Sequence, residues 1–220
     1  MSSMFNFIVV WMQAALSYLY DITVSFGIPN YGIAIILLTV VIKMLLYPLT
    51  VKQVKSMKAM QDLAPKMKAL QEKYKDNKEK LNAEMATLYK NAGVNPVAGC
   101  LPLLVQMPFL IAIFYAIRDY NYTGNPSFLW IANLSQTSPS DPYYIIPVLA
   151  AATTYFSSRQ TTTQMTDQNR IMLMMMPLFI GYLTISFPAG LGIYWVVSNF
   201  IQIGQQWWVN RKPKVIGEAG

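Results

Sequence analysis

The chain has 220 residues, of which 54% are hydrophobic and 12% are charged, and its formal net charge is +7. A soluble domain has about 25% charged residues, so this composition indicates a membrane protein. The sequence contains no histidine and a single cysteine, Cys100. It therefore excludes an internal disulfide, the usual zinc sites, and nucleophiles that need a histidine partner.

Residues 1–30 predict an amphipathic helix that lies on the outer membrane surface. In the string "MFNFIVVWMQAALSYLYDI" (4–22), four polar residues share one helical face, namely Asn6, Gln13, Ser17 and Asp21. A sixth membrane span or an uncleaved signal anchor is the alternative interpretation. A cleavable signal peptide is not expected, because the segment has neither a basic n-region nor a small-x-small cleavage motif.

Five later segments are predicted to span the bilayer, because each approaches the roughly 20 apolar residues that a spanning helix needs. The segments 31–50, 96–117 and 171–187 are plainly apolar. The segments 142–158 and 188–208 mix small and polar residues with apolar ones. That mixture is typical of membrane helices whose polar groups are covered by neighbouring helices.

The positions of lysine and arginine predict the orientation of these spans. With the N-terminus outside, the cytoplasmic segments 51–95, 159–170 and 209–220 hold 15 basic residues, whereas the outer loop 118–141 holds one. Basic residues accumulate on the cytoplasmic side of membrane proteins. The sequence therefore predicts an outer N-terminus and a cytoplasmic C-terminus.

The segment 51–95 predicts a cytoplasmic, antiparallel pair of amphipathic helices. Apolar residues recur at spacings of three or four on both sides of the polar turn "KDNK", namely Met57, Met60, Leu63, Met67, Leu70, Tyr74, Leu81, Met85 and Leu88. Pro65 is expected to kink or restart the first helix. Two roles remain open for this pair: its lysines bind lipid headgroups, or its methionine-rich face docks a partner protein.

Lys43 is a charged residue inside the first predicted span, where a charge costs about 2.5 to 3.5 kcal/mol at the bilayer centre. It shares a helical face with Thr39 and Tyr47, at spacings of four. The five predicted spans contain no acidic residue that would pair with it. Either the side chain snorkels to the inner interface, roughly 10 Å away, or it faces a water-containing cavity. The missing carboxylate favours the cavity.

Polar residues on two other spans predict further walls of such a cavity. Gln106 lies on the second span between Pro102 and Pro108. The last span carries a polar stripe and its neighbours, namely Tyr194, Trp195, Ser198, Asn199, Gln202 and Gln206. For an isolated amide such as Gln106, a hydrogen bond inside a dry helix bundle is the alternative.

Four strings resemble, in order and spacing, the YidC family of membrane protein insertases and its mitochondrial and chloroplast relatives. They are "IKMLLYPLT", "APKMKALQEKYKDN", "NPVAGCLPLLVQMP" and "MPLFIGYLTISFPAGLGIYWVVSN" followed by "QQ", and they cover roughly residues 31–208. The resemblance implies an all-α integral membrane protein of the bacterial cell membrane. Five transmembrane helices would enclose a hydrophilic groove, beside a cytoplasmic helical hairpin and an outer amphipathic helix.

The resemblance also implies a function and a site. Such an insertase and chaperone moves hydrophobic segments and short polar tails of nascent membrane proteins from the cytoplasm into the bilayer, without enzymatic chemistry or a cofactor. The family's groove holds one basic residue, commonly arginine, and its match here is Lys43. Lysine keeps the charge but lacks the forked donor set of arginine. The full predicted groove comprises Lys43, Thr39, Tyr47, Gln106, Tyr194, Trp195, Ser198, Asn199 and Gln202.

The expected partners are nascent membrane proteins and the lipid bilayer. The ribosome, the signal recognition particle or its receptor, and the Sec translocon are further candidates. A small-solute or anion transporter that binds its substrate at Lys43 is the main alternative, although two related halves with paired broken helices are not visible. An intramembrane peptidase with Ser198 as nucleophile and Lys43 as base is a third interpretation, which requires the two groups within about 3 Å.

Overall fold

The computed structural model describes residues 3–94, 101–137, 141, 144–162 and 167–211, and the regular secondary structure of these ranges is helical, apart from one isolated bridge between Phe128 and Ile131 in a loop. The predicted all-α class is confirmed. The eight helices of these ranges are α1 (Ser3–Ser25), α2 (Tyr31–Leu45), α3 (Tyr47–Lys73), α4 (Lys78–Asn91), α5 (Leu101–Arg118), α6 (Ile145–Thr161), α7 (Asp167–Ser186) and α8 (Ala189–Arg211).

The segment 31–50, predicted as one span, is divided between α2 and the start of α3, with a bend of 65° between them. Pro48 lies in the first turn of α3. Because proline has no N–H and its ring crowds the preceding turn, a straight helix does not continue through this position. The prediction that Tyr47 shares a helical face with Thr39 and Lys43 is therefore wrong, since that face requires an unbroken helix.

The helices α3 and α4 pack against each other and are joined by a short turn, residues 74–77. The Tyr89 hydroxyl of α4 donates a hydrogen bond to the Met67 sulfur of α3 at 3.6 Å. The helix α3 continues through Pro65, so the predicted restart at this residue is wrong. No residue of α4 is buried. The rest of the fold therefore depends little on the end of the α3–α4 pair that carries the turn.

The helix α8 lies at the centre of the remaining bundle, where it packs against α2 and α6 and contacts α3, α5 and α7. We call the end that carries residues 119–137 the loop end, and the end from which α3 and α4 extend the hairpin end. The apolar core lies mostly at the loop end. Its fully buried members there are Met12, Leu16, Tyr31, Ala34, Ile35, Ala112, Ile113, Ala116, Ile117, Ile131 and Leu134.

The loop end is closed by a segment of the loop that folds into the core. Leu134 is fully buried, and its carbonyl accepts a hydrogen bond of 2.9 Å from the Gly190 N–H at the start of α8. A Cβ at Gly190 would lie 3.0 to 3.2 Å from Ile117, Ile35 and the Leu134 carbonyl, so only glycine fits without displacement. Close approach of the loop to α8 therefore depends on this residue.

The helix α1 also belongs to the loop end. Three residues of α1, from Phe5 to Tyr20, make contacts along about 22 Å of helix. All of their partners lie at one end of the bundle, either in the last turn of α5, just after it, or at the first residue of α2. The contacts are Phe5 with Tyr115 (ring centroids 5.8 Å apart), the Ser17 hydroxyl with the Tyr120 hydroxyl (2.7 Å), and Tyr20 stacked on Tyr31 (3.9 Å). The axis of α1 therefore crosses this end of the bundle.

Length and composition alone make α1 a candidate membrane span over Phe5–Ser25, and the bent pair of α2 and α3 is a second candidate if it counts as one span. Gln106–Arg118 of α5 and Arg170–Ser186 of α7 are shorter apolar helices. These statements concern the described residues. The number of spans, predicted as five, remains a prediction.

Candidate functional site

A cavity of about 770 Å³ lies among α2, α3, α5, α6, α7 and α8. Most of its polar lining residues come from the middle and the hairpin end of the bundle, namely Lys43, Thr50, Gln53, Gln106, Thr154, Ser157, Ser158, Trp195, Ser198, Asn199, Gln202 and Gln206. Tyr115 and Thr184 also line it nearer the loop end, where the lining is otherwise mostly apolar and includes Phe114, Leu183, Phe187 and Leu191. The polar side chains of the lining are therefore concentrated away from the loop end.

Lys43 supplies the charge in this cavity wall. Its side chain is buried, at 6% exposure, and its Nζ donates a hydrogen bond to Gln202 Oε1 at 3.5 Å. The ion pairs within the described ranges are Lys68 with Glu72 and Arg118 with Asp119, so no described carboxylate pairs with Lys43. A buried cation without a counter-ion needs hydration or polar neighbours. The amides and hydroxyls of the cavity wall meet that need.

Three predicted groove residues do not line the cavity. Thr39 is fully buried and donates its hydroxyl to the Ile35 carbonyl at 2.7 Å, within α2. Tyr194 is also buried, and its hydroxyl accepts a hydrogen bond from Gln106 Nε2. Tyr47 lies at the start of α3 with 39% exposure. The cavity wall brings together the other six, namely Lys43, Gln106, Trp195, Ser198, Asn199 and Gln202.

Two threonines of α6 orient the polar stripe of α8. Trp195 Nε1 donates to Thr154 Oγ1 at 2.9 Å, and Asn199 Nδ2 donates to the same oxygen at 3.0 Å and to Thr153 Oγ1 at 3.2 Å. The helical period places Trp195 and Asn199 one turn apart on the face that meets α6. The hydroxyl of Thr154 therefore fixes two side chains of the cavity wall at once.

Several wall residues were not predicted. Gln53 was assigned to the hairpin and Thr50 to the end of the first predicted span, but both belong to α3, and the bend after α2 brings them to the cavity. Thr154 and Ser157 lie on α6, where the unusual threonine content of the segment was the available signal. Gln206 differs from these, because it belongs to the stripe of α8 that predicted a cavity wall, although the predicted groove did not include it.

The proposed peptidase dyad has no support in this geometry. Lys43 Nζ hydrogen-bonds to Gln202, and the Ser198 hydroxyl interacts with Tyr194. No hydrogen bond joins Ser198 to Lys43, although both residues are described and both line the cavity. A nucleophile needs its base within hydrogen-bonding distance, and this pair does not provide it.

Comparison with known proteins gives matches over most of the chain. The family model described as 60Kd inner membrane protein matches residues 21–215. The membrane protein insertase YidC of Geobacter sulfurreducens is 43% identical over 183 residues, which is 83% of this chain and 34% of that protein. The protein of the same name from Nitratidesulfovibrio vulgaris is 41% identical over 192 residues, which is 83% of this chain and 35% of that protein.

A solved structure is similar as well. The crystal structure described as an active YidC insertase with the first transmembrane domain resolved matches with a TM-score of 0.70 and 30% sequence identity. The match covers 92% of this chain and 45% of that chain. The chain spans about a third of the length of the curated relatives that it matches. The resemblance drawn from the four sequence strings is confirmed.

Proposed function

The chain belongs to the 60Kd inner membrane protein family, and from that premise we propose that it is a membrane protein insertase and chaperone. It moves hydrophobic segments and short polar tails of nascent membrane proteins from the cytoplasm into the bilayer. The observation that carries this proposal is the cavity, which contains a buried lysine without a carboxylate partner among the described residues and has most of its polar side chains away from the loop end.

The proposed orientation places the hairpin end in the cytoplasm and the loop end outside. The helices α2, α5, α6, α7 and α8 are the five proposed spans. Arg118, the basic residue at the loop end, is neutralised by Asp119, with N–O distances of 2.6 and 3.0 Å. The helix α1 lies on the outer surface, which its contacts at the loop end support. Its exposed apolar residues, among them Phe7, Val10, Trp11 and Tyr18, would face lipid.

Lys43 would act by charge. A polar tail that crosses unaided faces about 30 Å of hydrocarbon. A hydrated cavity that opens to the cytoplasm shortens this path, and the buried ammonium attracts acidic side chains more strongly than it would in bulk water. The closed loop end would stop the cavity from becoming a continuous pore.

The hydrophobic segment would leave the cavity sideways. The helices α5 and α7 both line the cavity, yet within the described residues they do not form one of the closely packed helix pairs. The outer face of α7 is apolar and flexible, with exposed Met172, Met174 and Met175. Partition of an apolar segment into lipid is itself favourable, so the step needs no nucleotide.

The α3–α4 pair would receive substrates or their targeting machinery. It carries most of the chain's lysines, several of them at the turn, where Lys73 and Lys80 lie 5.2 and 5.3 Å from the ring of Tyr74. The ribosome, the signal recognition particle or its receptor, and the Sec translocon are proposed partners. Binding of the same lysines to anionic lipid headgroups is the competing role.

The anion transporter interpretation gains nothing from the structure. Transporters of this kind commonly have a pair of broken helices in two related halves. The described helices contain one such bent pair, α2 with α3.

Reconstitution tests the proposed function. Vesicles that contain the full protein receive a single-span substrate with a short tail, and protease protection of the tail reports insertion. We expect insertion above the level of protein-free vesicles. Equal protection in both preparations would contradict the proposal. Labelling of single-cysteine variants tests the orientation, because a cysteine at Lys73 should react only from the cytoplasmic side.

A further inference from the structure

Gln206 has a polar atom that the fold does not use. The residue is 3% exposed and lines the cavity, and its Oε1 has no hydrogen-bond partner among the described residues. A buried carbonyl oxygen without a donor is costly, and folded proteins contain few of them. This acceptor therefore suits a donor that enters the cavity.

The surroundings of Gln206 indicate which donor fits. Gln53 on α3 is 7% exposed and lines the same end of the cavity, and Gln202 lies about one turn away on α8. The oxygen of Gln202 already accepts from Lys43, at 3.5 Å. Carboxamides accept from and donate to peptide groups with matched geometry. The described cavity wall contains no carboxylate, so it offers a peptide N–H no stronger acceptor.

We propose that Gln206 accepts a hydrogen bond from a main-chain N–H of the substrate's polar tail. This inference rests on the proposed insertase function and adds what the site recognises. A main-chain N–H is present in every residue except proline, so this contact does not depend on the tail's sequence. It requires an extended tail, because a helix uses its N–H groups internally. Lys43 then adds a preference for acidic tails.

A synthetic substrate tests the contact directly. One form carries an ordinary tail, and the other has ester bonds in the tail, which replace the N–H groups by oxygen and leave the side chains unchanged. Both are given to vesicles that contain the native protein, Gln206→Met or Gln206→Glu. The methionine variant removes the acceptor at similar length, and the glutamate variant retains a carbonyl oxygen.

Gln205→Met is the matched control. In the native protein, the Oε1 of Gln205 is also buried without a partner among the described residues, but Gln205 does not line the cavity. Thermal unfolding in detergent checks that each variant is folded. Gln206→Leu, which also removes the acceptor, takes the place of Gln206→Met if that variant does not fold.

We expect the native protein to insert the ester tail about fivefold more slowly than the amide tail, as the loss of one hydrogen bond implies. Gln206→Met should insert both tails at the same reduced rate, whereas Gln206→Glu and Gln205→Met should keep the difference. Equal rates for both tails with the native protein would overturn the inference. An ester effect that persists in Gln206→Met would also overturn it, because the tail N–H would then bind elsewhere. Water would remain as the donor to Gln206 Oε1. If the native protein inserts neither tail, the proposed function itself fails.

Discussion

The two ends of the helix bundle bury different kinds of side chain. At the loop end, Tyr20 stacks on Tyr31 and the buried Leu134 closes the core between α2, α5 and α8. At the hairpin end, the buried groups include amides, hydroxyls and the ammonium of Lys43. Apolar burial stabilises one end, whereas the other end retains polar groups that cost stability unless they are hydrogen-bonded. This difference is the arrangement that a half-channel closed on one side requires.

Removal of the charge at the polar end should have the largest effect. Lys43→Met keeps the length and loses the charge, so we expect insertion of substrates with acidic tails to slow more than tenfold, since attraction at a few ångströms is worth several kcal/mol at an effective dielectric constant of about 20. Stability should rise slightly, because a desolvated ion has been removed. Insertion into reconstituted vesicles, with tails that differ only in charge, measures the effect.

Lys43→Arg is the matched variant, because it retains the charge and should preserve insertion. Equal rates for the lysine and methionine forms across all tail charges would refute the electrostatic role. Snorkelling toward the inner interface would then be the better explanation of Lys43.

Packing at the loop end gives the next largest effect. A Cβ at Gly32 would lie 2.1 Å from Phe128 Cγ, whereas a Cβ at Gly204 has no neighbouring atom within 4 Å. Gly32→Ala should therefore destabilise the protein by about 1–3 kcal/mol through overpacking. Gly204→Ala should stabilise it by about 0.5–1 kcal/mol, because alanine favours the helix. Thermal unfolding in detergent measures both, and a loss of the same size in Gly204→Ala would contradict the packing argument.

Sequence reasoning and structure agree best where helical periodicity alone places a residue. Polar faces of otherwise apolar helices carry Lys43, Gln106, Asn199 and Gln202. These faces turn toward one another because polar groups in a membrane helix must be covered by neighbouring helices, so the four residues meet at one cavity. The prediction for Tyr47 was wrong because it treated the segment 31–50 as one unbroken helix and gave no weight to the effect of Pro48 on the preceding turn.

Other features depend on contacts between distant parts of the chain. Gln53 reaches the cavity because α3 turns by 65° from the direction of α2, and although Pro48 marks the break, the periodicity of α3 does not indicate which of its residues then meet the other helices. The burial of Ile131 and Leu134 in the loop has no periodic signal either, since irregular segments lack a repeating apolar face. The closure of the loop end was therefore not predictable in residue detail.

Deletion of residues 70–81, the tip of the α3–α4 pair, tests whether insertion through the polar end of the bundle depends on this pair. We expect the substrate concentration for half-maximal insertion to rise at least about fivefold, since the deletion removes four lysines and one basic residue near an anionic surface is worth about 1 kcal/mol. The unfolding temperature should stay unchanged, because α4 buries no residue. An unchanged concentration dependence would mean that the pair is only a solvated appendage.

A control separates the two roles of the hairpin. Replacement of Lys73, Lys75, Lys78 and Lys80 by glutamine retains the helices and removes the charges. If lipid binding is the role, this variant should match the deletion only in vesicles that contain anionic lipid. If a protein partner is the role, the defect should appear only when that partner is present.

The smallest effect is expected from the threonine that orients the polar end. Thr154→Val keeps the branched shape but removes the oxygen that accepts from Trp195 and Asn199. Trp195 then loses its partner and Asn199 keeps only its bond to Thr153, so we expect insertion to slow about threefold, within the range for a single net hydrogen bond. Unlike the change at Lys43, this loss should be equal for acidic and neutral tails, because the wall is disordered without a change in its charge. Thr154→Ser should restore the rate. Thr153→Val removes the 3.2 Å bond from Asn199 and the bonds that the Thr153 hydroxyl donates within α6, but it leaves the bond of Trp195 intact, so it should lose less. A loss in Thr154→Val that grows with the acidity of the tail would contradict this role, because it would mean that the threonine acts through the field of the lysine.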